Sequence, residues 1–90
     1  MSKDVIAVEH VEGYRLLLTF EDGEAREADV SAMVPFDGVF KPLADLDYFR
    51  QVRVAPDIGT IAWPNGADLC PDALYECSRP VPGRATVAAK

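Results

Sequence analysis

The stretch YRLLLTFEDGEAREADV, residues 14–30, decides the architecture. Tyr14, Leu16, Leu18 and Phe20 recur at every second position, the period of a strand with one buried face. Glu21, Asp22 and Gly23 follow as a turn, with Gly23 placed to take a positive φ, so the chain doubles back in a tight hairpin. The returning strand, residues 24–30, sets Arg26, Ala28 and Val30 on one face and Ala25, Glu27 and Asp29 on the other. Its many charges suit an edge or a well-solvated face. An antiparallel sheet is the expectation.

Working outward, VIAVEHV (residues 5–11) is rich in β-branched residues and ends at Glu12-Gly13, which reads as a first strand. Beyond the hairpin, Ser31 is placed to cap one helical turn before Pro35 stops it. PFDG then reads as a turn, and VFKPL as an extended segment aiming Phe40 and Leu43 at the core. Asp45 is the expected N-cap of a short helix over LDYFRQV, with Phe49 buried. VRVA, PDIG and TIAW form a second hairpin. WPNG is a turn in which Gly66 takes the left-handed conformation, and ADL continues as a short strand. Pro71 opens a final short helix, PDALYEC, where its missing N–H costs nothing, and Asp72 lies at the positive end of the helix dipole.

The order predicts an α+β fold, a small single domain over residues 1–78. Its mainly antiparallel sheet is built from hairpins, with two short helices. Residues 79–90, SRPVPGRATVAAK without its first Ser, carry Pro and Gly without periodicity and read as a flexible C-terminal tail.

Composition narrows the function classes. Ninety residues leave room for one domain, and 49% apolar with 27% charged residues is ordinary globular usage. No apolar run reaches the length of a membrane span, and the N-terminus lacks a signal-peptide core, so a cytoplasmic protein away from membranes is expected. The net charge of −6, with nine scattered basic residues, argues against direct nucleic-acid binding. Cys70 and Cys77 have no metal-knuckle spacing and read as unpaired packing residues.

The densest run of chemistry-bearing residues is WPNGADLCPDALYE, residues 63–76. Asp68, Asp72 and Glu76 stand at i, i+4 and i+8, a line that would suit a hard cation on one helix face. Pro71 breaks that line, and Asp68 is better read as accepting backbone N–H groups near the helix start. Trp63 is either an exposed recognition anchor or a core residue under the last helix against Leu69, Leu74 and Tyr75; the core reading is favoured. His10 is the only histidine and has no marked nucleophile beside it. No phosphate loop, zinc motif or dinucleotide fingerprint occurs, so no catalytic residue, metal or cofactor is expected.

Four pieces together carry a resemblance: YRLLLTFEDGEAREADVS, VFKPLADLDYFRQV, IGTIAWPNGADL and CPDALYE. In this order they resemble a bacterial family catalogued as domain of unknown function 2442. The resemblance implies a small α+β domain with no established activity and no agreed catalytic residues. Some longer relatives append a helix-turn-helix, a pattern absent from residues 79–90. Relatives often appear beside another small uncharacterised protein, a setting that fits a partner-binding or antitoxin-like role.

The leading expectation is a non-catalytic interaction module whose partner is another protein or a second copy of itself. Sheet edges and the acidic residues Glu24, Glu27 and Asp29 would serve for docking. The alternative is a small-molecule or metal sensor with a pocket bounded by Trp63, Asn65, Asp68 and Tyr75. A weaker alternative is a metal-dependent hydrolase using Asp68 and Asp72.

Overall fold

A computed structural model describes residues 4–81. Three strands follow one another: β1 (Val5–Glu12), β2 (Arg15–Phe20) and β3 (Ala25–Asp29). They pair antiparallel, and a two-residue strand β6 (Arg79–Pro80) adds to the far side of β3, giving the order β1-β2-β3-β6. The second connection is the expected turn. Gly23 takes φ +87° and donates its N–H to the Phe20 carbonyl at 2.8 Å.

Leu16, Leu18 and Phe20 are fully buried on one face of β2, as their spacing predicts. Ala28 lies opposite Leu16, and Arg26 lies opposite Leu18 on that same face. The other face carries two cross-strand rows. One runs Glu9, Leu17, Glu27, Arg79; the other runs Glu12, Arg15, Asp29.

β1 is irregular. Its register against β2 slips at Ile6 and again at Val11, each an extra residue in the manner of a β-bulge. Both side chains are pushed outward and remain exposed. Bulges twist an edge strand away from further pairing, while Pro80 removes a donor from β6 at the opposite end.

The second hairpin joins β4 (Arg53–Ala55) to β5 (Thr60–Ala62) as a separate two-stranded sheet packed against β1. The Val5 N–H donates to the Gly59 carbonyl at 3.0 Å and ties the two sheets together.

Between β3 and β4 the structure departs from the sequence reading. The expected extended segment VFKPL lies within a 3₁₀ helix, Gly38–Ala44. Its i to i+3 bonds run from Phe40 to Asp37 and from Asp45 to Pro42, and the Val39 carbonyl, which Pro42 has no N–H to serve, accepts from Asn65 Nδ2 instead. Leu43 is nonetheless fully buried and Phe40 packs against the core. The Tyr14 hydroxyl donates to the Ala44 carbonyl and fastens this helix to the end of β2.

The short helix α1 (Val30–Met33) is capped by Asp29 rather than Ser31. The Asp29 carboxylate accepts from the Ser31 N–H at 3.0 Å and the Ser31 hydroxyl at 2.6 Å. Helix α2 (Leu46–Phe49) has the expected cap, Asp45 accepting from the Asp47 N–H at 3.0 Å, and Phe49 is fully buried. Helix α3 (Pro71–Cys77) begins at Pro71 as predicted. Instead of starting a tail, Arg79 and Pro80 pair with Glu27 and Arg26; residues 82–90 of that expected tail lie outside the described residues. The whole is a small α+β domain with mainly antiparallel sheets.

Candidate functional site

Trp63 has no exposed surface. Its indole N–H donates to the Phe49 carbonyl at 3.0 Å, and the two rings lie tilted with centroids 5.7 Å apart. It shares the core with Leu69 and Leu74. A Trp buried with its one donor satisfied is a packing residue, not a presented anchor.

Asn65 sits at the tip of the turn that follows. Gly66 takes φ +90° and donates to the Trp63 carbonyl at 2.9 Å, and the Trp63 N–H donates to Ala67 at 2.9 Å. Asn65 uses its backbone and both ends of its amide. Its N–H donates to the Tyr48 hydroxyl (2.8 Å), Nδ2 donates to the Val39 carbonyl (2.9 Å), and Oδ1 accepts from the Ala67 N–H (3.1 Å). The turn therefore clamps the segment from the 3₁₀ helix to α2.

Asp68 is exposed and forms a single bridge pair with Ala62. The expectation that it caps the last helix gives way to a different arrangement: the N-cap of α3 is Cys70, which makes no side-chain cap bond. Asp72 lies in the first turn of α3. Among the described residues, no group of three or more His, Cys, Asp or Glu is placed to hold a metal ion.

Tyr75 belongs to a second cluster, which the sequence reading did not assemble. Its hydroxyl donates to Glu24 Oε1 at 2.7 Å, and its ring meets Phe20 edge-on at 5.0 Å. The Arg26 guanidinium stacks 4.2 Å above that ring. Arg26 donates through Nη1 to Glu24 Oε2 (2.8 Å), through Nε to Ser78 Oγ (2.7 Å) and through Nη2 to the Ser78 carbonyl (2.8 Å). The Tyr75 hydrogen bond, with Arg26 behind it, holds the Glu24 carboxyl below its ordinary value, against opposing effects from desolvation and Asp22. Arg26 and Ser78 were not singled out from sequence. One signal was legible: alternation puts Arg26 on the buried face with Ala28 and Val30, and a charge there needs partners.

Glu27, half-buried, and Asp29, exposed, stay on the opposite face of the sheet. They line a groove of about 580 Å³ together with Arg15, Met33, Cys77 and Arg79. The seven candidate residues thus fall into separate groups. Trp63 and Asn65 hold the turn, Asp68 bridges to β5, Glu24 and Tyr75 form the Arg26 clasp, and Glu27 and Asp29 share the groove.

Cys70 and Cys77 are free thiols, and both are exposed rather than packed. They stand at the two ends of a two-turn helix whose middle residue Leu74 is the one buried. His10 is half-buried in β1, with Nε2 2.8 Å from the Gly13 carbonyl and its ring edge against Phe49. Among the described residues, no helix is long and apolar enough to cross a membrane.

The family model described as a protein of unknown function, DUF2442, matches residues 5–80. The chain belongs to this family. No curated protein and no solved structure gives a significant match. The DUF2442 match runs from the first residue of β1 to the last of β6, so the family unit includes the closing strand.

Proposed function

We propose that the domain is a non-catalytic protein-interaction module that binds through the partly exposed face of its four-stranded sheet that carries Leu17 and Glu27. The observation that carries this reading is the row Glu9, Leu17, Glu27, Arg79, which crosses all four strands at one level. Leu17 is a partly exposed apolar residue set among charges, the composition of a small contact centre with a polar rim. The face is favoured over the sheet edges because β1 is bulged twice and β6 contains Pro80.

The partner is a protein, either another chain or a second copy. An antitoxin-like role, in which that partner is held inactive, is one form of this reading. If the partner is basic, salt should weaken binding by screening Glu27 and Asp29. Of the earlier trio, Glu24 is the least suited to docking, since both its oxygens are taken by Tyr75 and Arg26.

The ligand-sensing alternative finds little support in its original residues, because Trp63 is closed off and Tyr75 is committed to the clasp. The hydrolase alternative through Asp68 and Asp72 finds no third metal-ligating group beside them among the described residues.

Affinity capture from native lysate, read by mass spectrometry and by sizing of the pure chain, tests the proposal. Leu17→Asp and Glu27→Arg should lose a partner that wild type and the turn variant Asp57→Arg both retain. Equal recovery by all four proteins, or a monomer that captures nothing, would remove the sheet face from consideration.

A further inference from the structure

The C-terminal strap, residues 75–81, ends α3 at Cys77, and beyond it few backbone bonds among the described residues fasten it to β3. The cap bond from the Ser78 N–H to the Tyr75 carbonyl is long, at 3.4 Å. Among the described residues β6 pairs with β3 at two positions, and one of these is Pro80, which has no N–H to give. A further backbone bond runs from the Val81 N–H to the Ala25 carbonyl at 3.0 Å. Just upstream, Leu74 is fully buried and anchors α3 to the core.

Side chains do the rest of the fastening. Arg26 reaches Ser78 twice, and Tyr75 is sandwiched between the Phe20 edge and the Arg26 guanidinium. Ser78 is buried, and its hydroxyl donates to the Tyr75 carbonyl at 2.9 Å while accepting from Arg26 Nε. The anion in this cluster is Glu24, one oxygen on Tyr75 and the other on Arg26.

We propose that Glu24 is the latch of this strap, and that neutralising its carboxylate lets residues 75–81 lift from β3 while Leu74 and the rest of the core stay folded. The groups facing Glu24 are Arg26 from β3, Tyr75 from α3 and Asp22 from the preceding turn. Protonation turns an acceptor of two bonds into a group that must itself donate, and it leaves the Arg26 side chain, 12% exposed, without its counter-charge. The weakest-fastened segment then opens first, because local openings draw on elements with few buried contacts and few ladder bonds. An open strap bares the β3 edge at Arg26 and Glu27, where an incoming strand could pair.

Hydrogen–deuterium exchange of the full chain, read by mass spectrometry at neutral pH, tests the latch. Glu24→Gln keeps the shape and removes the charge. It should speed exchange in residues 75–81 by roughly tenfold to a hundredfold, the factor expected for losing a hydrogen bond to a charged group. Exchange in β2 and β5 should stay slower than in residues 75–81 by the same ratio as in wild type, because Glu24→Gln raises the native state relative to the open and unfolded forms alike. Tyr75→Phe should speed the same segment by a smaller factor, and exchange of this segment in wild type, corrected for intrinsic rates, should quicken progressively as pH falls below about 4.5. Unchanged exchange in residues 75–81 of Glu24→Gln, or residues 75–81 that exchange no faster than β2 and β5, overturns the proposal.

Discussion

The Tyr48 hydroxyl accepts a hydrogen bond from the Asn65 backbone N–H at 2.8 Å, joining α2 to a turn 17 residues further along the chain. The Asn65 amide adds two more bonds, to Val39 and Ala67. An Asn in this turn therefore serves as a clamp across three segments, which accounts for it without a ligand.

Asn65→Ala should cost about 1–2 kcal/mol, because the Val39 carbonyl and the Ala67 N–H lose their partners at a partly solvated site. For a chain of this size that is a fall in Tm of roughly 5–15 °C. Asn65→Asp keeps the acceptor for Ala67 but cannot donate to Val39, so it should fall between. Thermal denaturation of the three proteins checks the order, and a fully stable Asn65→Ala would refute the clamp.

Trp63 offers a direct optical reading, since it is the only Trp in the chain. Complete burial predicts a blue-shifted emission that moves red on unfolding. Trp63→Phe should destabilise by about 2–4 kcal/mol through an unpartnered Phe49 carbonyl and the volume of the lost ring. Urea titration measures the loss. A native emission already at the wavelength of exposed Trp would contradict the packing described above.

What was legible in the sequence was local. The hairpin from β2 to β3 follows from alternation and a turn glycine, and the caps at Asp45 and the start at Pro71 follow from side-chain chemistry within a few residues. The 3₁₀ helix was missed because Pro42 argues against an ordinary helix and its fastening to Tyr14 comes from 30 residues away, although Phe40 and Leu43 stand three apart, the 3₁₀ period. Asp29 displaced Ser31 as cap because the helix begins at Val30, two residues earlier than a Ser31 cap would place it. Half of the Arg26 clasp was visible as a charge on a buried face. Its partner Ser78 stands 52 residues away, and no spacing rule connects them.

Glu24 gives the stability a definite pH dependence. The carboxyl is held below its ordinary value of 4.5, first by the Tyr75 hydroxyl and then by Arg26. For a group whose folded value is depressed, the stabilisation is fully present above the unfolded value and is lost as pH falls through the folded one. The difference in unfolding free energy between wild type and Glu24→Gln should therefore be constant at neutral pH and shrink below about 4.5. Urea titrations across that range measure it. A difference that grows on acidification would reverse the sign assigned to this group.

The two cysteines make the last prediction, and it turns on geometry. Both thiols are exposed, so both should react with a chromogenic disulfide reagent in the native protein, without denaturant. They flank α3, and seven helical steps at about 1.5 Å each separate them by roughly 10 Å. A disulfide spans Cα atoms only about 4.4–6.8 Å apart, so closing an internal bridge would require unwinding the helix that carries Leu74 into the core. Mild oxidation should accordingly yield covalent dimers on a non-reducing gel. Cys70→Ser and Cys77→Ser should each still give a dimer, and the double variant none. A fast-migrating monomer that has lost both free thiols would mean that α3 opens far more readily than its buried Leu74 implies.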